Sequence, residues 1–406
     1  MKKTLIAVAA AAALTATSAF AEITFGAWLR VITGVGSNGE DVVMGTTNSW
    51  GGVRPARLNA AGTSEDGKAG FKLDFYFDND EIWGHDKNIR IGDNGYLWVK
   101  PIDQIQLSIG KFDGGETGFR GDFCYGSWNW LRPYNWIVED EGLTFRGSHK
   151  DGLMARITPI DNLVVLVQLP VMNAKWGGNN AGYVAKTETE DAKNTAADVF
   201  KNAAYMASYS IEGVGTLKAG FFGADEEKTV EGKKYNQTGT VNVAFDLNAI
   251  ENLYVTVGAF FDIADKEMGE WHEKMKFTAG ASYQVSDAMK FSVSGGYVKY
   301  MDKCAWLGNK DNAFGIGAGV DYVIMDGLTL NADVRYKNVG YGKKGDDGSV
   351  SFLAGVVKSV GGNANLQAGF QGSTNGCGLV QADTGIPAVE KDDFVWAIPV
   401  GLSVFF

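Results

Sequence analysis

Three histidines (His85, His149 and His272) and three cysteines (Cys124, Cys304 and Cys377) are the main candidates for enzymatic chemistry in this 406-residue chain. A hydrolase needs a nucleophile or activated water beside a base, with a third group holding that base in place. His85 and His272 stand next to Asp86 and Glu273, but immediate neighbours in sequence seldom share such a geometry, and an exposed loop histidine is the simpler reading. No GxSxG motif or phosphate-cradling loop appears. The run Gly315, Gly317 and Gly319 only alternates along an expected strand and carries no phosphate-binding implication. The cysteines are odd in number and far apart, without CxxC or Cys/His spacing, so no metal site is expected. They read either as one loop disulfide with a third free thiol or as isolated small apolar residues. The chain is therefore expected to be no enzyme and to need no cofactor.

The charged residues are patterned differently. Lys72 and Asp74 alternate with Phe71, Leu73 and Phe75, while Asp333, Arg335 and Lys337 alternate with Ala332, Val334 and Tyr336. The same period of two runs through Ile105–Ile109 and Val241–Leu247, and it places Arg30, Arg156, Lys218, Lys274, Lys276, Asp246, Asp262 and Asp321 on polar faces, with Arg146 assigned likewise. Successive side chains of a strand point to opposite sides, so each segment has one apolar wall and one wet wall.

These elements are joined by connections of two alternating sizes. Short ones fall at Pro101–Gln104, Pro159–Asn162, Gly213–Gly215, Asn248–Glu251, Ser286–Ala288, Met325–Gly327 and Gly361–Asn363. Long polar ones are expected at 34–51, 113–141, 172–201, 225–236, 301–311 and 373–391. A sandwich has no reason to segregate its connections in this way, whereas a membrane barrel does. The count gives about 18 antiparallel strands, with 16 to 20 allowed. Gly142–Thr158 reads as one long strand or as two. Residues 52–62 alternate poorly, and Pro55 marks a bulge or an interrupted strand.

The chain opens with Lys2 and Lys3, an aliphatic core from Leu5 to Leu14, and Ala19-Phe20-Ala21. This reads as a secretory signal over residues 1–21, leaving 22–406 as a single barrel domain that begins at Glu22. Cleavage would remove two of the 37 basic residues and none of the 48 acidic ones, leaving an acidic surface with no affinity for nucleic acid. No run of 18 apolar residues forms a helical span, an absence compatible with a barrel. The 54 glycines suit strands that bend and pack closely in a closed sheet.

Phe394, Trp396, Ile398, Val400, Leu402, Val404 and Phe406 form an unbroken apolar stripe that ends on an aromatic residue. Together with the export signal and the alternation, this stripe resembles the bacterial outer-membrane porin class over the whole mature chain. The stretch Gly92–Pro101 is similar to spirochaetal outer-membrane barrels. The resemblance implies contact with outer-membrane lipid and lipopolysaccharide, recognition of Phe406 by the barrel-assembly machinery, and a homotrimer. It also implies a water-filled channel for small hydrophilic solutes and ions.

In porins the third long loop folds inward to narrow the channel, and by position that loop is 113–141, after the fifth strand. It carries Asp113, Glu116 and Asp122 mixed with Arg120 and Arg132, and Arg30, Arg54, Arg57 and Lys72 come from early strands that would face it. A cross-channel field between such groups selects solutes by charge and radius. An outward surface loop with solvated charges is the alternative. Aromatic residues on the polar faces or in the loop (Trp28, Tyr76, Tyr96, Trp98, Trp128 and Trp130) resemble the aromatic track of sugar-selective porins. Anchoring at the lipid interface is the plainer role for them. A surface adhesin whose barrel merely anchors its loops is a further alternative.

Overall fold

The computed structural model describes residues 22–37, 41–47, 56–77, 89–113, 119, 145, 151–171, 195–265, 273–304, 310–339, 348–374 and 394–406. The period-two segments form β1 (Glu22–Ser37), β2 (Val42–Thr47), β3 (Ala56–Thr63), β4 (Ala69–Phe77), β5 (Ile89–Ile102), β6 (Ile105–Lys111), β7 (Gly152–Ile160), β8 (Leu163–Leu169), β9 (Ala204–Ile211) and β10 (Gly215–Val230). They continue as β11 (Lys233–Ile250), β12 (Leu253–Ala264), β13 (Glu273–Ser286), β14 (Met289–Cys304), β15 (Lys310–Met325), β16 (Leu328–Lys337), β17 (Ser349–Ser359), β18 (Ala364–Ser373) and β19 (Val395–Phe405). Among the described residues one short helix, α1 (Ala196–Lys201), precedes β9 and is capped by the reciprocal bonds of Thr195 and Asp198.

From β3 onward each strand pairs antiparallel with the next, and β19 returns to β1 in an unbroken register from Trp28↔Phe405 to Ser37↔Trp396. Beyond that register the backbones of Ala27 and Phe406 exchange two hydrogen bonds of 2.9 and 2.8 Å. β2 and β3 share one partner: β2 pairs with the second half of β1 and β3 with the first half. They occupy one place in the ring, which has 18 strands. Pro55, read from the sequence as a bulge or an interruption, lies outside the described residues.

The closed sheet is apolar on its outside. On β10 Leu217 is 50% exposed while its neighbour Lys218 is only 7% exposed; on β16 the same contrast separates Val334 from Arg335. This inversion of a soluble protein suits a hydrocarbon surroundings, where no backbone group finds a partner outside the sheet and an open edge is not tolerated. The stripe Trp396, Ile398, Val400, Leu402 and Val404 alternates with better-shielded positions along β19, in the expected sense.

Short turns gather at one end of the ring, at residues 64–68, 103–104, 161–162, 212–214, 251–252, 287–288, 326–327 and 360–363. Several open on an acid (Asp103, Asp161, Glu251, Asp287 and Asp326), so part of the chain's surplus negative charge lies there. Asn162, Asn252 and Gly327 turn the chain at positive φ (66°, 63° and 67°), a conformation these residues tolerate best.

The other end departs from the sequence reading in four places. Residues 34–37 and 42–47 are paired strand, so the first connection is much shorter than 34–51. Within 225–236 the chain forms a two-stranded ribbon with a turn at Glu231-Gly232, because the pairing of β10 and β11 continues beyond the ladders of their other neighbours. Residues 301–304 and 310–311 are likewise strand. Finally, β7 begins at Gly152, which overturns a long strand from 142, and Phe145 lies in a bend.

Placing a charge on the outer face exposes this arrangement to a direct test. Val243→Arg on β11, near the middle of its strand, is expected to cost about 2–3 kcal/mol in reversible denaturant unfolding into lipid vesicles, as for other cations on a lipid-facing wall. An unchanged unfolding midpoint would contradict the assignment of faces.

Candidate functional site: the inner wall

Four neighbouring strands carry most of the charged and aromatic positions singled out in the sequence. Trp28 on β1 is in register with Arg57 on β3, and Arg57 with Tyr76 on β4. Lys72 and Asp74 share the inner face of β4 with Tyr76, while Lys72 is in register with Tyr96 and Gly70 with Trp98 on β5. Gly70 is required here, because a Cβ at that position would lie 2.5 Å from the Trp98 ring. The Arg57 guanidinium sits 2.6 Å from the Asp74 carboxylate and 5.6 Å from the centre of the Tyr76 ring. Lys100 lies 5.4 Å from the Trp98 ring centre. Both are cation–π distances.

Asp74 is fully buried and accepts two further bonds at 3.0 Å, from the backbone N–H and the side-chain amide of Asn94. Burial of a carboxylate is tolerated only with such pairing. The Asn94 side-chain oxygen in turn accepts from the backbone N–H of Asp113 at 3.0 Å, so this network ties down the start of the segment that follows β6. Phe112 donates its backbone N–H to Asp151 at 3.3 Å, which links the start of that segment to its far end.

The wall from β7 to β11 is different in kind. Met154, Leu166, Ala204, Met206, Phe222 and Ala244 are buried on the inner face and form one apolar cluster with Phe112, Phe119 and Phe145. Phe145 meets Phe222 edge-on at 5.9 Å and lies 6.2 Å from Phe119. Gly220 leaves the space for it, since a Cβ there would stand 3.0 Å from the Phe145 ring. Three residues of the β6–β7 connection, Phe112, Phe119 and Phe145, are thus seated on an inner wall that the sequence reading took to be wet. A signal for this was present: Val164-Val165-Leu166-Val167 on β8 is apolar at both parities, the mark of a strand covered on both faces.

Farther round, the inner charges of β10–β16 are mostly paired. Lys218 bonds Asp246 at 2.9 Å, and Thr256 donates to the same carboxylate at 2.6 Å. Lys276 lies 3.4 Å from Glu273, and Arg335 Nε lies 3.6 Å from Asp333. Asp321 accepts from the side-chain amide of Asn331, and Asp262 accepts from Gln237 at 2.9 Å.

Of the positions named from sequence, the structure brings Trp28, Arg57, Lys72, Asp74, Tyr76, Trp98 and Asp113 to this arc of strands. The backbone of Arg30 is in register with Ser403 of β19. Arg54, Glu116, Arg120, Asp122, Trp128, Trp130, Arg132, Arg146, Cys124, Cys377 and the three histidines lie outside the described residues, as do residues 1–21; Cys304 ends β14. Among the described residues no group of His, Cys, Asp or Glu is arranged to hold a metal ion.

Comparison with known proteins agrees with this architecture. The family model described as Gram-negative porin matches residues 7–342. No curated protein matches the sequence. Among solved structures, the anion-selective porin of Comamonas acidovorans is similar at 13% identity with a TM-score of 0.55, covering 95% of this chain and 99% of that one. The outer-membrane channel DcaP of Acinetobacter baumannii has 11% identity and a TM-score of 0.48, over 94% of this chain and 97% of that one. OmpT of Vibrio cholerae, in its trimer form, has 13% identity and a TM-score of 0.42, over 95% and 99%.

The apolar seat makes a quantitative expectation. Phe145→Ala should destabilise the barrel by about 3 kcal/mol, the usual loss for truncating a fully buried aromatic, read as a lower denaturation midpoint. Phe145→Leu should recover much of it. Equal stability of all three proteins would remove Phe145 from the packed wall.

Proposed function

Since this chain belongs to the Gram-negative porin family, a family of the bacterial outer membrane, we propose that it forms a water-filled channel for passive diffusion of small hydrophilic solutes and ions. The observation that carries the reading is the reversed polarity of a closed 18-stranded ring, with charges inside and large hydrophobics outside. A ring of that circumference is too wide for its own side chains to fill. The solute's gradient supplies the driving force, and no catalytic step is invoked.

Selectivity in this reading arises between two parts of the inner wall. One is the arc of Arg57, Lys72, Asp74 and their aromatic neighbours. The other is the seat on β7–β11 that holds Phe119 and Phe145 and brings the connection 113–141 inward as the constriction. The tie from Asn94 to Asp113 and the burial of Phe119 and Phe145 support it. A sugar-selective variant of the same channel is favoured by one specific observation: Trp28, Tyr76 and Trp98 share this wall, with cations over two of the rings. Aromatic faces pack against the C–H surfaces of sugar rings. The proposal includes export through a signal at residues 1–21, a barrel domain over 22–406, assembly guided by the strand that ends at Phe406, and a homotrimer in contact with lipopolysaccharide.

Single-channel recording in planar bilayers tests the channel and the constriction separately. Wild-type protein should pass steady ohmic current. A deletion of residues 122–140, which keeps Phe119 and Phe145, should raise both conductance and the size limit for neutral solutes. Conductance and cutoff unaltered by the deletion would refute the constriction, and a silent wild-type protein would refute the channel.

A further inference from the structure

Every second residue of β15 from Gly315 to Gly319 is a glycine, and all three glycines fall on the inner face, between outward-facing Phe314, Ile316 and Ala318. In register beside them stand Gly296, Ser294 and Ser292 of β14, and beyond these Thr278 and Gly280 of β13. On the other side, β16 presents Lys337, Arg335 and Asp333 opposite the three glycines in turn. The inner wall is therefore bare backbone along a trough, with two cations and a carboxylate on one bank and hydroxyls on the other.

Arg335 and Asp333 lie 3.6 Å apart on one bank, but the remaining groups are not paired with one another. Lys337 is 3% exposed and, among the described residues, has neither an ion pair nor a hydrogen bond. The hydroxyls of Thr278, Ser292 and Ser294 are buried without a hydrogen-bond partner, and these residues are 8%, 5% and 2% exposed. Three buried hydroxyls without partners are costly unless something satisfies them, and the Lys337 ammonium on the opposite bank has no counter-charge among the described residues. What satisfies both at once is an anion with several acceptor oxygens. Neighbouring strands lie about 4.8 Å apart, so Arg335 and Ser294 face each other across the single glycine strand β15. That gap, spanned from one bank by a long side chain, suits one small oxyanion group.

We propose that this trough is an oxyanion subsite on the channel wall, in which Lys337 supplies the net charge and Ser294 donates from the far bank. Its ligand is a small solute bearing a phosphate or carboxylate group, held in transit. Arg335 adds donors but is already beside Asp333 at 3.6 Å, so the uncompensated charge is that of Lys337. The subsite rests on the channel reading and deepens it, by giving the diffusing solutes a preferred class.

The test uses the full-length barrel in a planar bilayer, with inorganic phosphate added to a chloride bath. Phosphate should reduce the wild-type chloride current in a saturable, dose-dependent way. Lys337→Gln should raise the half-blocking concentration about tenfold, the loss expected for one charge-assisted contact. Ser294→Ala should raise it less, without moving the reversal potential, and Lys68→Gln in an exposed turn should match wild type. Acetate blocking over the same range supports a shared oxyanion chemistry, and block by phosphate alone narrows the class to phosphate-bearing solutes. Absence of saturable block overturns the subsite. So does a Lys337→Gln effect confined to reversal potential with Ser294→Ala unchanged, since that is a long-range field and not a bound anion. A wild-type protein that passes no current at all fails at the channel itself, which is a distinguishable outcome.

Discussion

The constraint beneath this structure is that a peptide group in hydrocarbon has no partner other than another peptide group. A helix satisfies that requirement within itself; a sheet satisfies it only by closing. In this chain closure is made by β1 and β19, whose ten-residue ladder from Trp28↔Phe405 to Ser37↔Trp396 removes the last two free edges. Side-chain polarity follows from it. Once the ring exists, one face of every strand meets lipid and the other meets the lumen, so Leu217 and Lys218 exchange the roles they would have in a soluble protein.

Closure was legible in sequence because it depends on period and on spacing, both of which survive without tertiary information. The alternation around Lys72 and Asp74 and the turns at Asn162 and Gly327 were readable in this way. The loop boundaries were less so. Polar, acidic sequence such as Glu226-Glu227-Lys228 looks like a loop, yet it pairs with 234–237 because a ribbon in water needs no apolar face. The inner wall of β7–β11 was misread for the opposite reason. On β8 Val164–Val167 is apolar at both parities, and only a segment distant in sequence, represented by Phe119 and Phe145, explains what covers the apolar patch on the inward side. The glycines of β15 illustrate a third limit: their spacing was visible, but only strand register shows which groups stand on either side of them.

Electrostatics on the inner wall are local before they are global. Arg57 with Asp74, Lys218 with Asp246 and Lys276 with Glu273 are pairs drawn from the same or adjacent strands. Such pairs offset most of the desolvation of their members and leave little net field. The field that a passing ion experiences is then set by the residues left over, which makes the Lys337 ammonium, without a counter-charge among the described residues, more consequential than the number of charges around it.

The order of the strands carries a kinetic consequence. All ladders but one join segments close in the chain, so the meander is able to grow hairpin by hairpin, at a small loop-closure cost for each step. The β1–β19 seam alone joins residues separated by nearly the whole chain, and its entropic cost falls only once the intervening strands are aligned. The seam is accordingly the last contact made in assembly and the natural place for an incomplete barrel to remain unzipped.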